Sequence, residues 1–229
     1  MKKAKKSYFL TADGSPTLYM EQFDEYYHSK HGAVQEAMHV YLGMGFDYWR
    51  SLNPEATHCH IFEMGFGTGL NAFLTAKAAS ETGIHICYDT IEAYPLSTIE
   101  MNEANYVSFL EEEESLLFNQ IQHATWEEEI SITPFFKLKK MHCLLENYCP
   151  SIKTDLIYYD AFGARAQPEI WTDDCFPILT ENMNPAGVFV TYAAIGSVRR
   201  ALLRLGLVTG LVPGPPGKRE MIRGHKPLL

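Results

Sequence analysis

Three acids and three glycines fall at positions suited to ligand chemistry. Asp160 closes the apolar run Leu156–Tyr159 in "TDLIYYDAFGARAQPEIW". A bare carboxylate ending a core-type strand is a candidate acid or base. In "IFEMGFGTGLN", Gly65, Gly67 and Gly69 lie between an apolar strand and a helix, with Glu63 two residues ahead of the first. Glycine permits positive φ and lets backbone approach a ligand closely. A dinucleotide fingerprint needs glycine or alanine at position 70; Leu70 stands there, so no pyrophosphate cradle is expected. Glu92 ends the following strand in "IEAYP", and a carboxylate is a natural acceptor for a pair of neighbouring hydroxyls. The structural alternatives are a turn chosen for packing, a solvated Glu92, and an Asp160 that caps the next helix. Pro168, eight residues on, marks that helix start and weighs against a cap at Asp160.

The elements around these residues alternate. "HCHIFEMG", "IHICYDTIEA", residues 135–141, "TDLIYYD" and "AGVFVTYA" read as strands. Helices are expected over "LNAFLTAKAAS", "PLSTIEMNEANYVSFL", "PEIWTDDCFPILTENM" and "GSVRRALLRLG", with a short one to about residue 148. The glutamate run at 111–115 reads as an exposed helix end or loop, and "LVTGLVPGPPGKREMIRG" as a closing hairpin broken at Pro213 to Gly217. Such alternation predicts an α/β fold: a mostly parallel seven-stranded sheet with helices on both faces. Residues 1–55 read as an N-terminal extension, with the Asp13-Gly14 turn and helical spacing over 33–52, and 56–229 as the main domain. Ligands of open α/β sheets lie beyond the carboxyl ends of the strands, where Asp160 falls.

The chain has 229 residues, 46% hydrophobic, enough for a real core. No apolar run is long enough for a membrane span, and "MKKAKKSYFL" lacks the apolar stretch of a secretory signal. Five cysteines without a CxxC pair predict reduced, mostly buried thiols, a cytoplasmic setting, and neither disulfide frame nor metal site. The net charge of −9 is unevenly spread: Glu100–Glu129 holds nine glutamates and no lysine or arginine. From Arg199 onward, seven Lys/Arg face one acid, and lysines 2, 3, 5 and 6 form a second basic cluster. One positive face could therefore meet a phosphate backbone; two ordinary solvated faces are the plainer alternative.

The spacing G-x-G-x-G after Glu63, with Glu92 and Asp160 at later strand ends, resembles the S-adenosylmethionine loop of class I (Rossmann-like) methyltransferases. Longer strings narrow the resemblance: "LTADGSPTLY", "YHSKHGAVQEAMHVYL", "FEMGFGTGLN", "DAFGARAQPEIWT", "VRRALLRLGL" and "PGPPGKREMIRG". On these the chain resembles the methyltransferase domain of the MnmC-type tRNA-modifying enzymes in stand-alone form, ending without the flavin-dependent oxidase domain of bifunctional members. The resemblance implies methyl transfer from S-adenosylmethionine to the amine of 5-aminomethyl-2-thiouridine at the tRNA wobble position, in the anticodon region, giving 5-methylaminomethyl-2-thiouridine. It places Gly65, Phe66, Gly67, Gly69 and Asn71, with Glu63, on the cofactor loop. Glu92 becomes the ribose acid, Asp160 the catalytic acid, and Phe162 and Trp171 the loop that walls the pocket. Where the family has Gly-Asp facing adenine, this chain has Met141-His142, so His142 or backbone takes that role; Ala164 replaces a proline after Asp160.

Tyr27, His28 and Tyr192 are further candidates for shaping a nucleoside pocket, against the plainer reading of packed or surface residues. Lys218-Arg219 and Arg199-Arg200 are candidates for tRNA phosphates, since arginine forks suit phosphate oxygens; an Arg pair on a helix also commonly bridges to nearby acids. An alkylammonium ionises near pH 10, about like lysine, so a carboxylate at Asp160 would orient the amine and receive its proton. The rival readings are a small-amine transferase of the polyamine-synthase type and a cofactor-binding protein whose catalysis has lapsed.

Overall fold

The computed structural model describes residues 6–21, 24–104, 106 and 110–228. Lysines 2, 3 and 5 lie outside them. Gly14, at φ 81°, turns β1 (Lys6–Leu10) into β2 (Pro16–Met20), and β3 (Glu25–Tyr26) extends this small antiparallel sheet. A helical rod follows: α1 (Ala33–Ala37), a π-helical stretch Met38–Asp47, and α2 (Tyr48–Leu52). Its Val40, Tyr41, Phe46 and Trp49 are buried. Gly45 lets the rod lie close, since a Cβ there would come within 3.1 Å of the Tyr158 and Val190 side chains.

Next come β4 (His58–Met64), α3 (Leu70–Thr82), β5 (His85–Ile91), α4 (Thr98–Ala104), α5 (Glu112–His123), β6 (Glu129–Thr133) and β7 (Phe136–Met141). The rest is β8 (Thr154–Tyr159), α6 (Cys175–Thr180), β9 (Met183–Thr191), α7 (Gly196–Arg204), β10 (Val208–Pro213) and β11 (Glu220–His225). The sheet order is β10-β11-β9-β8-β4-β5-β7-β6. The four central pairings are parallel and three, toward the edges, are antiparallel. Parallel strands need cover on both faces, and alternate residues divide between two cores. Ile61 and Tyr158 face the N-terminal rod and α3, while Phe62, Ile157 and Tyr159 face α6 and α7.

The class I α/β architecture is as expected, with particular differences. The seven expected strands are joined by an eighth, β6, which pairs antiparallel with β7. The helix expected over 95–110 is helical at Thr98–Ala104, with residues 105 and 107–109 outside the described set. The glutamate run opens α5, where Glu111 and Glu114 form a reciprocal capping box. Acids in a first turn also complement the helix dipole, so the run favours a helix start. The helix expected from Pro168 is a 3-10 turn, Pro168–Trp171, then the short α6. All five cysteines are free, but Cys59 alone is fully buried; Cys149 is exposed and the others are half-buried. Among the described residues no helix is long and apolar enough to cross a membrane.

Candidate active site

A cavity of ≈ 710 Å³ opens beyond the carboxyl ends of β4, β5 and β8. Its floor carries Gly65, Asn71 and Asp160, and residues 25–30 of the N-terminal layer wall its mouth. The volume suits two small-molecule moieties side by side.

All three loop glycines have positive φ: 93° at Gly65, 53° at Gly67 and 84° at Gly69. Crowding adds to that demand. A Cβ on Gly65 would stand 2.7 Å from the Asp160 carbonyl oxygen, and one on Gly67 3.3 Å from the Tyr27 ring. Gly69 lies outside the cavity lining and caps α3. Glu92 accepts from the Gly67 N–H at 3.0 Å and the Tyr94 N–H at 2.8 Å, one bond to each carboxylate oxygen. Each oxygen keeps a second lone pair for a diol. Beside it, Ile91, Ala93 and Cys143–Leu145 make an apolar slot.

His142, expected at the adenine position, does not line the cavity. Its N–H donates to Glu127, and its Nε2 lies 3.3 Å from the Ala93 carbonyl. The slot is walled instead by the residues immediately after it, with Glu146 as the nearby acid, which sequence reading missed. Also unseen was the support beneath the loop. Gln122 of α5 donates to the Thr68 carbonyl, and buried Lys140 donates to the Ile121 and Gln122 carbonyls beneath the Phe66 and Trp126 rings. Burial pulls the Lys140 ammonium down to about 8. β7 carries three lysines, and only Lys140 falls on the inward face with Phe136 and Leu138, so the strand's alternation was the one sequence signal for such a contact.

Asp160 caps no helix; Gln167 precedes the 3-10 turn. Its backbone N–H donates to the Met64 carbonyl, fixing the strand end beside the glycine turn. Asn71 Nδ2 donates to Asp160 Oδ2 at 2.7 Å and to Glu63 Oε1 at 3.0 Å. Asp160's remaining exposure is to the cavity. Burial pushes its carboxyl up to about 7, and Glu36 adds to the rise, while Tyr41, Asn71 and Lys218 oppose it. The Tyr41 hydroxyl faces this carboxylate without closing a hydrogen bond of standard geometry. Glu63 is 1% exposed and outside the lining. Burial, then the Asp160 charge, raises its pKa well above the usual carboxylate value, which favours its neutral form.

Among the expected substrate residues, Tyr27, His28, Phe162, Tyr192 and Lys218 line the cavity. Tyr27 meets Phe162 edge to face, with centroids 5.0 Å apart. Burial holds His28 neutral, its pKa down to about 4, and its Nδ1 lies 3.1 Å from the Tyr106 hydroxyl. Trp171 stands behind the wall and donates through Nε1 to the Phe162 carbonyl at 2.7 Å, holding that loop. Tyr192 donates to the Ala161 carbonyl. Lys218 and Arg219 divide. Lys218 turns inward, 3.8 Å above the Tyr192 ring and 3.1 Å from Glu36, while Arg219 is exposed outside the lining. Glu36, 182 residues away, resembled an ordinary helix acid in the sequence. Arg165 ties the loop after Asp160 to Asp24 and Glu25 across the mouth. Arg199 and Arg200 are exposed, and the described residues show no ion pair for either or for Arg219.

These groups fit S-adenosylmethionine: a turn that only glycine fills, a carboxylate with free lone pairs for the ribose, an apolar slot for the base. Glu92→Ala removes acceptors worth about 1.5–3 kcal/mol per charged hydrogen bond, so cofactor affinity measured by calorimetry is expected to fall at least about tenfold.

The profile of a family described as S-adenosyl-L-methionine-dependent methyltransferase matches residues 113–227, which include β8 and Asp160. A protein of Leptospira borgpetersenii serovar Hardjo-bovis (strain JB197), the tRNA 5-methylaminomethyl-2-thiouridine biosynthesis bifunctional protein MnmC, is 30% identical over 217 residues, or 89% of this chain and 32% of that protein. The protein of the same name from Marinomonas sp. (strain MWYL1) is 30% identical over 231 residues, covering 93% of this chain and 32% of its own length. The chain thus spans about a third of these curated relatives. Among solved structures, MnmC2 from Aquifex aeolicus aligns with a TM-score of 0.75 at 23% identity, over 100% of this chain and 74% of that one, which shows a shared fold. With half its length inside the family profile and a cavity built for that cofactor, the chain belongs to the S-adenosyl-L-methionine-dependent methyltransferase family.

Proposed function

We propose that the chain methylates the primary amine of 5-aminomethyl-2-thiouridine at the tRNA wobble position, in the cytoplasm, giving 5-methylaminomethyl-2-thiouridine. The observation carrying this reading is Asp160: a carboxyl raised to about 7, opening into the cavity beside the glycine turn. The names of the relatives, which concern tRNA 5-methylaminomethyl-2-thiouridine biosynthesis, supply the nucleoside.

Glu92 and the turn at Gly65 and Gly67 would hold the cofactor, which when bound supplies an electrophilic methyl group on a sulfonium. The protein must present an uncharged nitrogen to it. An alkylammonium arrives protonated, with a pKa of roughly 10. Asp160, ionised above about pH 7, accepts one of its N–H bonds and takes that proton, freeing the lone pair. Phe162, fixed by Trp171, and Tyr27 confine the base so that the nitrogen stays oriented. Neutral His28 adds no competing charge. Arg199, Arg200 and Arg219 are the exposed cations offered to tRNA phosphates.

A free diamine would need a second carboxylate for its far ammonium. Glu36 is already paired with Lys218, and Glu25 with Arg165, but Glu146, Glu169 and Asp174 also line the cavity, so it is the names of the relatives and not the lining that favour tRNA over that rival. Incubation with labelled S-adenosylmethionine and either undermethylated bulk tRNA or free diamines separates the two. Label is expected in tRNA; label in the diamine fraction alone would overturn the reading.

A further inference from the structure

The pair Glu63 and Asn71 belongs by sequence to the cofactor loop, yet the structure turns both side chains toward Asp160. Asn71, the second residue of α3, is 4% exposed. An amide nitrogen has two N–H donors, and here one goes to Glu63 Oε1 and the other to Asp160 Oδ2. None is left for a ligand. The opposite amide orientation would aim Oδ1 at an ionised carboxylate, so the two acceptors fix the flip. We propose that Asn71 is a positioning residue for Asp160, anchored from behind by Glu63, so that one amide clamps Oδ2 and leaves Oδ1 for the substrate amine. This rests on Asp160 being the acid that meets the amine.

The anchor works because Glu63 is neutral. Two carboxyl groups bridged by one amide share a site in which double ionisation is costly. Asp160 opens to the cavity and Glu63 does not, so the proton stays on Glu63. Its Oε1 accepts from Asn71, which leaves the proton on Oε2. Facing it are Tyr88 and Thr90 of β5, whose hydroxyls close no other hydrogen bond among the described residues. The groups facing Asp160 are Tyr41 and Glu36 from the helical rod, Lys218 from the turn before β11, Tyr192 from the end of β9, and Glu63 and Asn71. Asn71 alone gives Asp160 a side-chain hydrogen bond of standard geometry among the described residues.

The test combines three readouts. In Asn71→Ala, kcat is expected to fall by about 10²-fold through misplacement of the acid. The acid limb of the kcat/KM pH profile should move upward by about one pH unit, the loss of one charge-assisted hydrogen bond. Cofactor affinity, read by calorimetry, should stay near wild type. Weakened cofactor binding with an unmoved limb would overturn the proposal and return Asn71 to the cofactor site. If Asn71→Ala does not fold, Glu63→Gln decides. The infrared band of a protonated carboxyl, present in wild type at a pH where Asp160 is ionised, should vanish, and the limb should hold its place. No such band in wild type, or a limb displaced in Glu63→Gln, means a charged Glu63 and sinks the anchor. Should Asp160→Asn keep full turnover, the Asp160 reading itself fails; a dead Asp160→Asn beside an Asn71→Ala with a wild-type limb refutes this inference alone.

Discussion

Asp160→Asn is expected to bind S-adenosylmethionine with near wild-type affinity while turnover falls by about 10²–10⁴-fold. Asparagine keeps the shape and can still accept from Asn71, but it cannot take the ammonium proton. Cofactor binding is separable because the glycine turn and Glu92 would hold the cofactor through atoms other than the Asp160 carboxylate. Wild-type kcat/KM should rise with pH through about 7, where Asp160 ionises, and the residual rate of the variant should lack that limb. Stability should move the other way. The folded-state pKa of Asp160 is raised above its unfolded value, so the folded chain holds this proton more tightly. That contribution is complete below the unfolded value near 4 and lost as pH rises through about 7. Asp160→Asn should therefore melt higher than wild type at neutral pH, with the difference shrinking in acid. Unchanged turnover, or a melting difference with the opposite pH trend, would remove Asp160 from the assigned role.

Gly65→Ala should abolish detectable cofactor binding and destabilise the fold by about 2–5 kcal/mol, through strain at positive φ and overpacking. The methyl group would press within 2.7 Å of the Asp160 carbonyl oxygen. That backbone cannot easily yield, because Asp160 N–H is bonded to the Met64 carbonyl and Gly65 N–H to the Ile91 carbonyl. Any retreat would displace the acid as well as the turn. Gly83→Ala is the control: it also has positive φ, at 70°, but nothing lies within 4 Å of its Cβ position. It should lose only about 1 kcal/mol and keep cofactor binding. Calorimetry and thermal melting of the two variants report both effects, and equal behaviour would show that the close approach at Gly65 carries no functional weight.

The parts of the site legible in the sequence were those with strong local signals. Gly65, Gly67 and Gly69 between a strand and a helix, Glu92 after the next strand and Asp160 after a later one converge on one cavity because strand ends in a parallel sheet do so. Contacts between distant segments gave no such signal. Glu36 and Lys218 meet across almost the whole chain, and Asn71 looked like one more loop residue until its donors were seen to bridge Glu63 and Asp160. His142 was assigned by position after a strand, but its ring turns to the Ala93 carbonyl, and the slot is closed by the residues that follow. β6 escaped although its residues EISIT alternate cleanly, because five residues at a sheet edge are a short run, and the glutamates of 111–115 read as a helix end or loop although they open α5.

Nucleoside analysis of tRNA from cells lacking the gene tests the proposed reaction most directly. 5-Aminomethyl-2-thiouridine should accumulate at the wobble position and its methylated product should disappear, both reversed by the wild-type chain but not by Asp160→Asn. A normal nucleoside profile in those cells would contradict it.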